Sequence, residues 1–245
     1  MICLLAAVAE ETDLIREALE GYVPRSVNGI TLMHGRLAGH DVCLAHSGIG
    51  KAAAAAAAVT LLSSCQPQAL WLFGCGGAYP GSGLSIGDLA LAEEEIFGDE
   101  GVATSKGFRD LSALRLPMLP GHGERYNRWP VDPALHAWAR PLFEEQAQNS
   151  AAKLGCGPFV TVSTCTGTTA EAIEIGRRTG GICENMEGAA VAMACLQMSV
   201  PLLEVRGITN RLEDYDPTRW DLAAGMTAAQ NAVLTLLPLW PGTRA

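Results

Sequence analysis

Apolar and polar positions along the chain fall into short blocks that alternate between strand-like and helix-like spacing. Residues 2–8 are continuously apolar, as in a buried strand, and 11–20 follow with the spacing of an amphipathic helix. Residues 30–35 and 40–46 read as paired strands, with Gly39-His40 as their turn. Ser47-Gly48-Ile49-Gly50-Lys51 opens a helix that begins with seven alanines, 52–58, and runs to about Ser63. Residues 69–73 form an apolar strand that breaks into Gly74-Cys75-Gly76-Gly77. Further strands are predicted at 87–97, 158–164 and 201–207, and helices at 133–147, 169–177, 188–198 and 223–237. This order predicts an α/β fold: a single domain, 1–245, with a mixed central β-sheet flanked by helices on both faces. Residues 98–130 are rich in Gly, Pro and Arg with little periodicity and read as a long functional loop. There is no internal repeat and no low-complexity linker.

Composition narrows the partners. Lys and Arg number 17 against 26 Asp and Glu, a formal net charge of −9. Such a chain repels nucleic-acid backbones and anionic membranes, so a small molecule is the expected partner. The run 52–58 is too short for a membrane span, and residues 1–8 read as a first strand, not a signal peptide. None of the eight cysteines shows metal-ligand or redox spacing. They read as reduced core residues of a cytoplasmic protein. No cofactor and no metal ion is expected.

Four stretches carry candidate chemistry. Gly74-Cys75-Gly76-Gly77-Ala78 follows a strand, where glycines let backbone approach a ligand, although a tight turn alone explains the spacing equally well. Glu10-Glu11 open a helix; acids there complement the helix dipole, and one of them could instead serve as a general base. Glu184-Asn185-Met186-Glu187 precede a small-residue helix, where a buried carboxylate needs hydrogen-bond donors such as a sugar diol. Arg206, Thr209 and Asn210 end the last apolar strand, and the Asn amide offers both the donor and the acceptor that a base edge requires. A capping acid and a solvated turn are the plainer alternatives for these last two.

Taken together, the glycine turn 73–77, the helix start Met186-Glu187-Gly188-Ala189-Ala190 and the strand end Arg206-x-x-Thr209-Asn210 resemble the nucleoside phosphorylase/hydrolase superfamily, in order along roughly residues 2–237. Within it the chain is most similar to the futalosine hydrolases of the alternative menaquinone pathway, through residues 76–84, 162–168, 184–190 and 216–222. The resemblance implies a nucleoside phosphorylase-like fold and hydrolysis through an oxocarbenium-like ribosyl transition state. It implies that Glu11 activates water, Glu187 grips the ribose hydroxyls, Met186 packs under the sugar and Arg206 sits beside the water. Thr166 and Gly167 fall where relatives contact the purine, and Gly76 and Thr209 lie in the matching motifs. A homo-oligomer, dimer or tetramer, is expected.

Departures from the family pattern refine the substrate. Cys75 stands where adenine-specific hydrolases carry a water-binding serine, and Asn185 replaces an acid. Asn210 replaces an aspartic acid that protonates adenine N7; its amide instead donates to a 6-oxopurine such as hypoxanthine. Trp220 and Arg219 would suit the aryl carboxylate on the 5′ arm of futalosine. The first turn and the run 70–73 lack the arginines that phosphorylases of the superfamily use for phosphate, so water is the expected nucleophile. The alternatives are a methylthioadenosine/S-adenosylhomocysteine-type nucleosidase, an inosine phosphorylase and, in a different class, a non-catalytic nucleoside-binding module.

Overall fold

The computed structural model describes residues 1–242; the last three of the expected domain 1–245 lie outside the described residues. In chain order the elements are β1 (Ile2–Ala6), a 3₁₀ turn (Ala9–Thr12), α1 (Asp13–Ala18), β2 (Glu20–Val27), β3 (Ile30–Leu37), β4 (His40–His46), α2 (Lys51–Cys65), β5 (Ala69–Ala78), β6 (Leu89–Phe97), β7 (Gly101–Thr104), β8 (Gly107–Asp110), β9 (Arg128–Pro130), α3 (Pro133–Asn149), β10 (Leu154–Thr161), α4 (Thr169–Thr179), β11 (Cys183–Asn185), α5 (Gly188–Gln197), β12 (Leu202–Arg211) and α6 (Leu222–Leu236). Ten strands form one mixed sheet in the order β11-β10-β6-β12-β5-β1-β4-β3-β2, with β9 beside β6. Because β11 also pairs with β5, strands β5, β11, β10, β6 and β12 close into a ring. The remaining strands extend from it as an open sheet.

Alternation along β1 shows how the layers are made. Cys3 and Leu5 face a core built with α2 and α5, whereas Ile2, Leu4 and Ala6 face one built with α1, α3 and α6. The alanines of α2 allow close approach: Ala54, Ala57 and Ala58 are fully buried. A stretch spanning Leu222–Leu239 is long and apolar enough by composition to cross a membrane. Its residues Ala229, Ala232, Val233 and Leu236 pack against the sheet.

Several elements differ from the sequence expectation. The predicted helix 11–20 is a 3₁₀ turn followed by a two-turn helix, because the chain must leave the end of β1 and return as β2. Strand β2 went unpredicted: it is an exposed edge strand without apolar alternation and contains Pro24. The turn between β3 and β4 is Ala38-Gly39, both at positive φ (49° and 82°), not Gly39-His40. The run 74–78 continues β5 instead of breaking it. The expected loop 98–130 holds the hairpin β7–β8 and strand β9.

Candidate active site

The C-terminal ends of β1, β5 and β12 and the β11–α5 junction converge on a cleft of about 270 Å³, the scale of a small-molecule site. Among the described residues, three acids, Glu11, Glu184 and Glu187, line it with a single cation, Arg206. No residue of the 98–130 stretch lines it.

Glu11 is held by backbone from two strands' ends. Its Oε2 accepts from Ala7 N (2.9 Å) and Val8 N (3.3 Å), and its Oε1 from Cys75 N (2.7 Å). All three partners donate, so one of the roughly four acceptor positions of the carboxylate is left on Oε1. The arrangement depends on Gly74, at φ +153°: a Cβ there would lie 2.4 Å from Glu11 Oε1. The acid is therefore more than a complement to a helix dipole, since the chain around it is shaped to aim it at the cleft.

Glu187, also buried, accepts from Gly50 N (2.9 Å) through Oε1 and lies 3.5 Å from Arg206 Nη1 through Oε2. The Arg206 Nη1 also donates to Cys75 O at 3.2 Å, and its Nε donates to Glu204 Oε1 at 2.9 Å. The guanidinium thus links Cys75, which holds Glu11, to Glu187. Burial and the charge of Glu11 push the Cys75 thiol well above its ordinary range, so it remains an S–H.

At the end of β12, Asn210 Oδ1 is 2.8 Å from the Thr209 hydroxyl, which is also 3.2 Å from Gly76 O. Asn210 Nδ2 has only a long contact, 3.5 Å, to Arg211 O, leaving the amide N–H free to donate to a ligand. Thr166 is stapled in place by Glu184, which accepts from Thr166 N (2.9 Å) and Oγ1 (2.5 Å) and from the Tyr79 hydroxyl (2.6 Å). Burial raises the Glu184 carboxyl, and those donors offset part of the effect.

Most expected residues meet here: Glu11, Cys75, Gly76, Thr166, Asn185, Met186, Glu187, Arg206, Thr209, Asn210 and Trp220 all border the cleft. Gly167 and Arg219 do not. Arg219 is 58% exposed and pairs with Glu213 at 2.9 Å, while Trp220 meets Tyr215 edge-on, 5.7 Å between ring centroids. The Asn185 side chain points into the protein: Oδ1 accepts from Glu187 N (2.9 Å) and Gly188 N (2.7 Å), and Nδ2 donates to Glu95 Oε1 (2.6 Å). It fixes the start of α5 and hence Glu187.

Two residues beneath the site escaped the sequence reading. Glu95 and Glu204 are fully buried and flank Gly188, where a Cβ would meet their oxygens at 2.0 and 2.7 Å. Burial first, and the neighbouring Glu204 charge second, push the Glu95 carboxyl well above the ordinary range. Glu204 Oε2 has no hydrogen-bond partner, while its Oε1 accepts from Arg206 Nε. The available sign was an uninterrupted acidic run, 93–95, inside an apolar strand, which reads as exposed until the strand is placed.

The sequence matches the family model described as Phosphorylase superfamily over residues 1–238. A futalosine hydrolase of Thermus thermophilus is 35% identical over 81% of this chain and 82% of its own length. A 5′-methylthioadenosine/S-adenosylhomocysteine nucleosidase of Shewanella baltica is 28% identical over 98% of both chains. Among solved structures, the corresponding nucleosidase of Neisseria meningitidis in complex with methylthio-immucillin-A superposes with a TM-score of 0.84 (22% identity, covering 98% of this chain and 99% of that one). The futalosine hydrolase of Helicobacter pylori superposes with a TM-score of 0.83 (20% identity, 98% and 97%). By its sequence match from end to end of the described fold, the chain belongs to the phosphorylase superfamily.

Proposed function

We propose that this chain hydrolyses the N-glycosyl bond of futalosine, releasing hypoxanthine and dehypoxanthinyl futalosine in the menaquinone route that uses it. The observation that carries the hydrolytic reading is the charge of the cleft. Its one cation among the described residues, Arg206, is paired with Glu204 and Glu187, and Glu11 lines the same cleft. A phosphate dianion finds no free cation there, whereas water can donate to the remaining acceptor position of Glu11.

In the proposed reaction the C1′–N9 bond breaks with its electron pair leaving on the base, and the ribose becomes cationic. Glu187 accepts from the ribose diol and lies beside the developing charge. Water adds at C1′ while Glu11 takes its proton. The Asn210 amide donates to N7 or O6 of the departing hypoxanthine and so stabilises its negative charge; the base then takes a proton from solvent. An amide cannot serve adenine as a protonated carboxyl does, which favours futalosine over methylthioadenosine. The relative 35% identical over four-fifths of the chain supports the same choice. Trp220 borders the cleft where a 5′ aryl group could stack; Arg219, outside it and paired with Glu213, is not assigned that role.

The test is base release from futalosine, inosine and methylthioadenosine compared as kcat/KM. Futalosine should exceed both others. Preference for methylthioadenosine would move the chain to the nucleosidases, and absence of base release from all three would favour a binding module.

A further inference from the structure

Away from the cleft, three cysteines far apart in sequence meet between the sheet and α2. Cys3 on β1 and Cys43 on β4 stand at paired positions of adjacent parallel strands, and Cys65 ends α2. Their sulfur atoms all lie within 4.8 Å of one another. His34, opposite Cys43 on β3, brings Nε2 to 3.6 Å from Cys43 Sγ and 4.0 Å from Cys65 Sγ. Cys3 and Cys43 are fully buried, whereas Cys65 and His34 are half-buried and leave a way in from the edge of the sheet.

We propose that Cys3, Cys43, Cys65 and His34 form a structural site for a thiophilic divalent cation, Zn²⁺, that clamps the C-terminal end of α2 to the open sheet. The donor set is the three-thiolate, one-imidazole set of closed tetrahedral zinc sites. Zinc bonds of about 2.3 Å to sulfur and about 2.0 Å to nitrogen place tetrahedral donors roughly 3.5–3.8 Å apart. The His34 contact to Cys43 already matches, that to Cys65 is about 0.5 Å long, and the thiols need to close by no more than about 1 Å. Sequence spacing could not reveal this set, because its members come from three strands and a helix and none forms a short Cys-x-x-Cys pair.

Three thiolates and a divalent ion carry a net charge of −1, and Arg25 on exposed strand β2 stands near enough to offset it. A filled site would also steady α2 at the end opposite Gly50, whose N–H holds Glu187.

The experiment is a titration of the reduced, chelator-treated chain with Co²⁺ under argon, followed by Zn²⁺. One equivalent of Co²⁺ should produce a thiolate-to-cobalt charge-transfer band and the strong visible bands of tetrahedral coordination, and one equivalent of Zn²⁺ should abolish both. Zn²⁺ should also raise the thermal midpoint. Cys65→Ser and His34→Ala, both at half-buried positions, should weaken binding by more than about tenfold while keeping the circular dichroism of the parent. Cys156→Ser, a half-buried cysteine outside the cluster, should titrate as the parent does. A titration without the charge-transfer band, or a folded Cys65→Ser variant that binds as tightly as the parent, would overturn the proposal. Recovery of a disulfide among Cys3, Cys43 and Cys65 from chain isolated under argon would assign the cluster to thiol oxidation instead.

Discussion

At the residue scale, the cleft is decided by which atoms remain free after the protein has satisfied its own hydrogen bonds. Asn210 has its carbonyl oxygen occupied by Thr209 and its N–H free. Asn210→Asp replaces a fixed donor with a group that donates only when protonated, and whose other oxygen accepts from an adenine amino group. The hypoxanthine-to-adenine ratio of kcat/KM is therefore expected to fall by on the order of tenfold or more, a loss of roughly 1.4 kcal/mol of discrimination. Measuring both nucleosides on parent and variant checks this; an unchanged ratio removes Asn210 from base recognition.

At the element scale, the glycines at strand and helix ends are what let acids approach the cleft. Gly74→Ala puts a Cβ against Glu11 Oε1 in a conformation that L residues rarely adopt. It should lower stability by about 1–3 kcal/mol and displace the carboxylate, so that kcat falls more than the thermal midpoint alone would explain. A variant with parental turnover would show that Glu11 does not depend on that backbone. These ends also mark where sequence reading worked and where it stopped. The apolar runs of β1, β4, β6 and β12 and the helices α2, α3, α5 and α6 were legible because their periodicity reflects burial, and most cleft residues lie at the ends of those runs. Strand β2 was not, because edge pairing with β3 leaves its side chains in solvent. Neither was the inward turn of Asn185, whose partners Glu95 and Thr161 come from β6 and β10, remote in sequence.

At the scale of the whole molecule, the closed ring of strands surrounds a charged core that folding must keep balanced. Glu95 is raised by burial and by Glu204, so the folded state holds a proton that the unfolded chain releases above its ordinary carboxylate value of 4.5. Folded stability from this group is fully present below that value and declines as pH rises toward the raised one. Glu95→Gln, which keeps the shape and cannot ionise, should flatten that decline: its thermal midpoint relative to the parent should be higher at pH 8 than at pH 5. Equal differences at both values would mean that Glu95 is ionised in the fold. The central claim is that Glu11 directs water, not phosphate, to C1′. Its most direct measurement is hypoxanthine release from futalosine by parent and Glu11→Gln enzyme, with and without phosphate. Hydrolysis by Glu11 predicts that parent turnover is indifferent to phosphate and gives a free sugar product, and that Glu11→Gln loses about 10²–10⁴-fold in kcat while still binding substrate. Phosphate-dependent release with a sugar 1-phosphate product, or a Glu11→Gln enzyme with parental kcat, would contradict it.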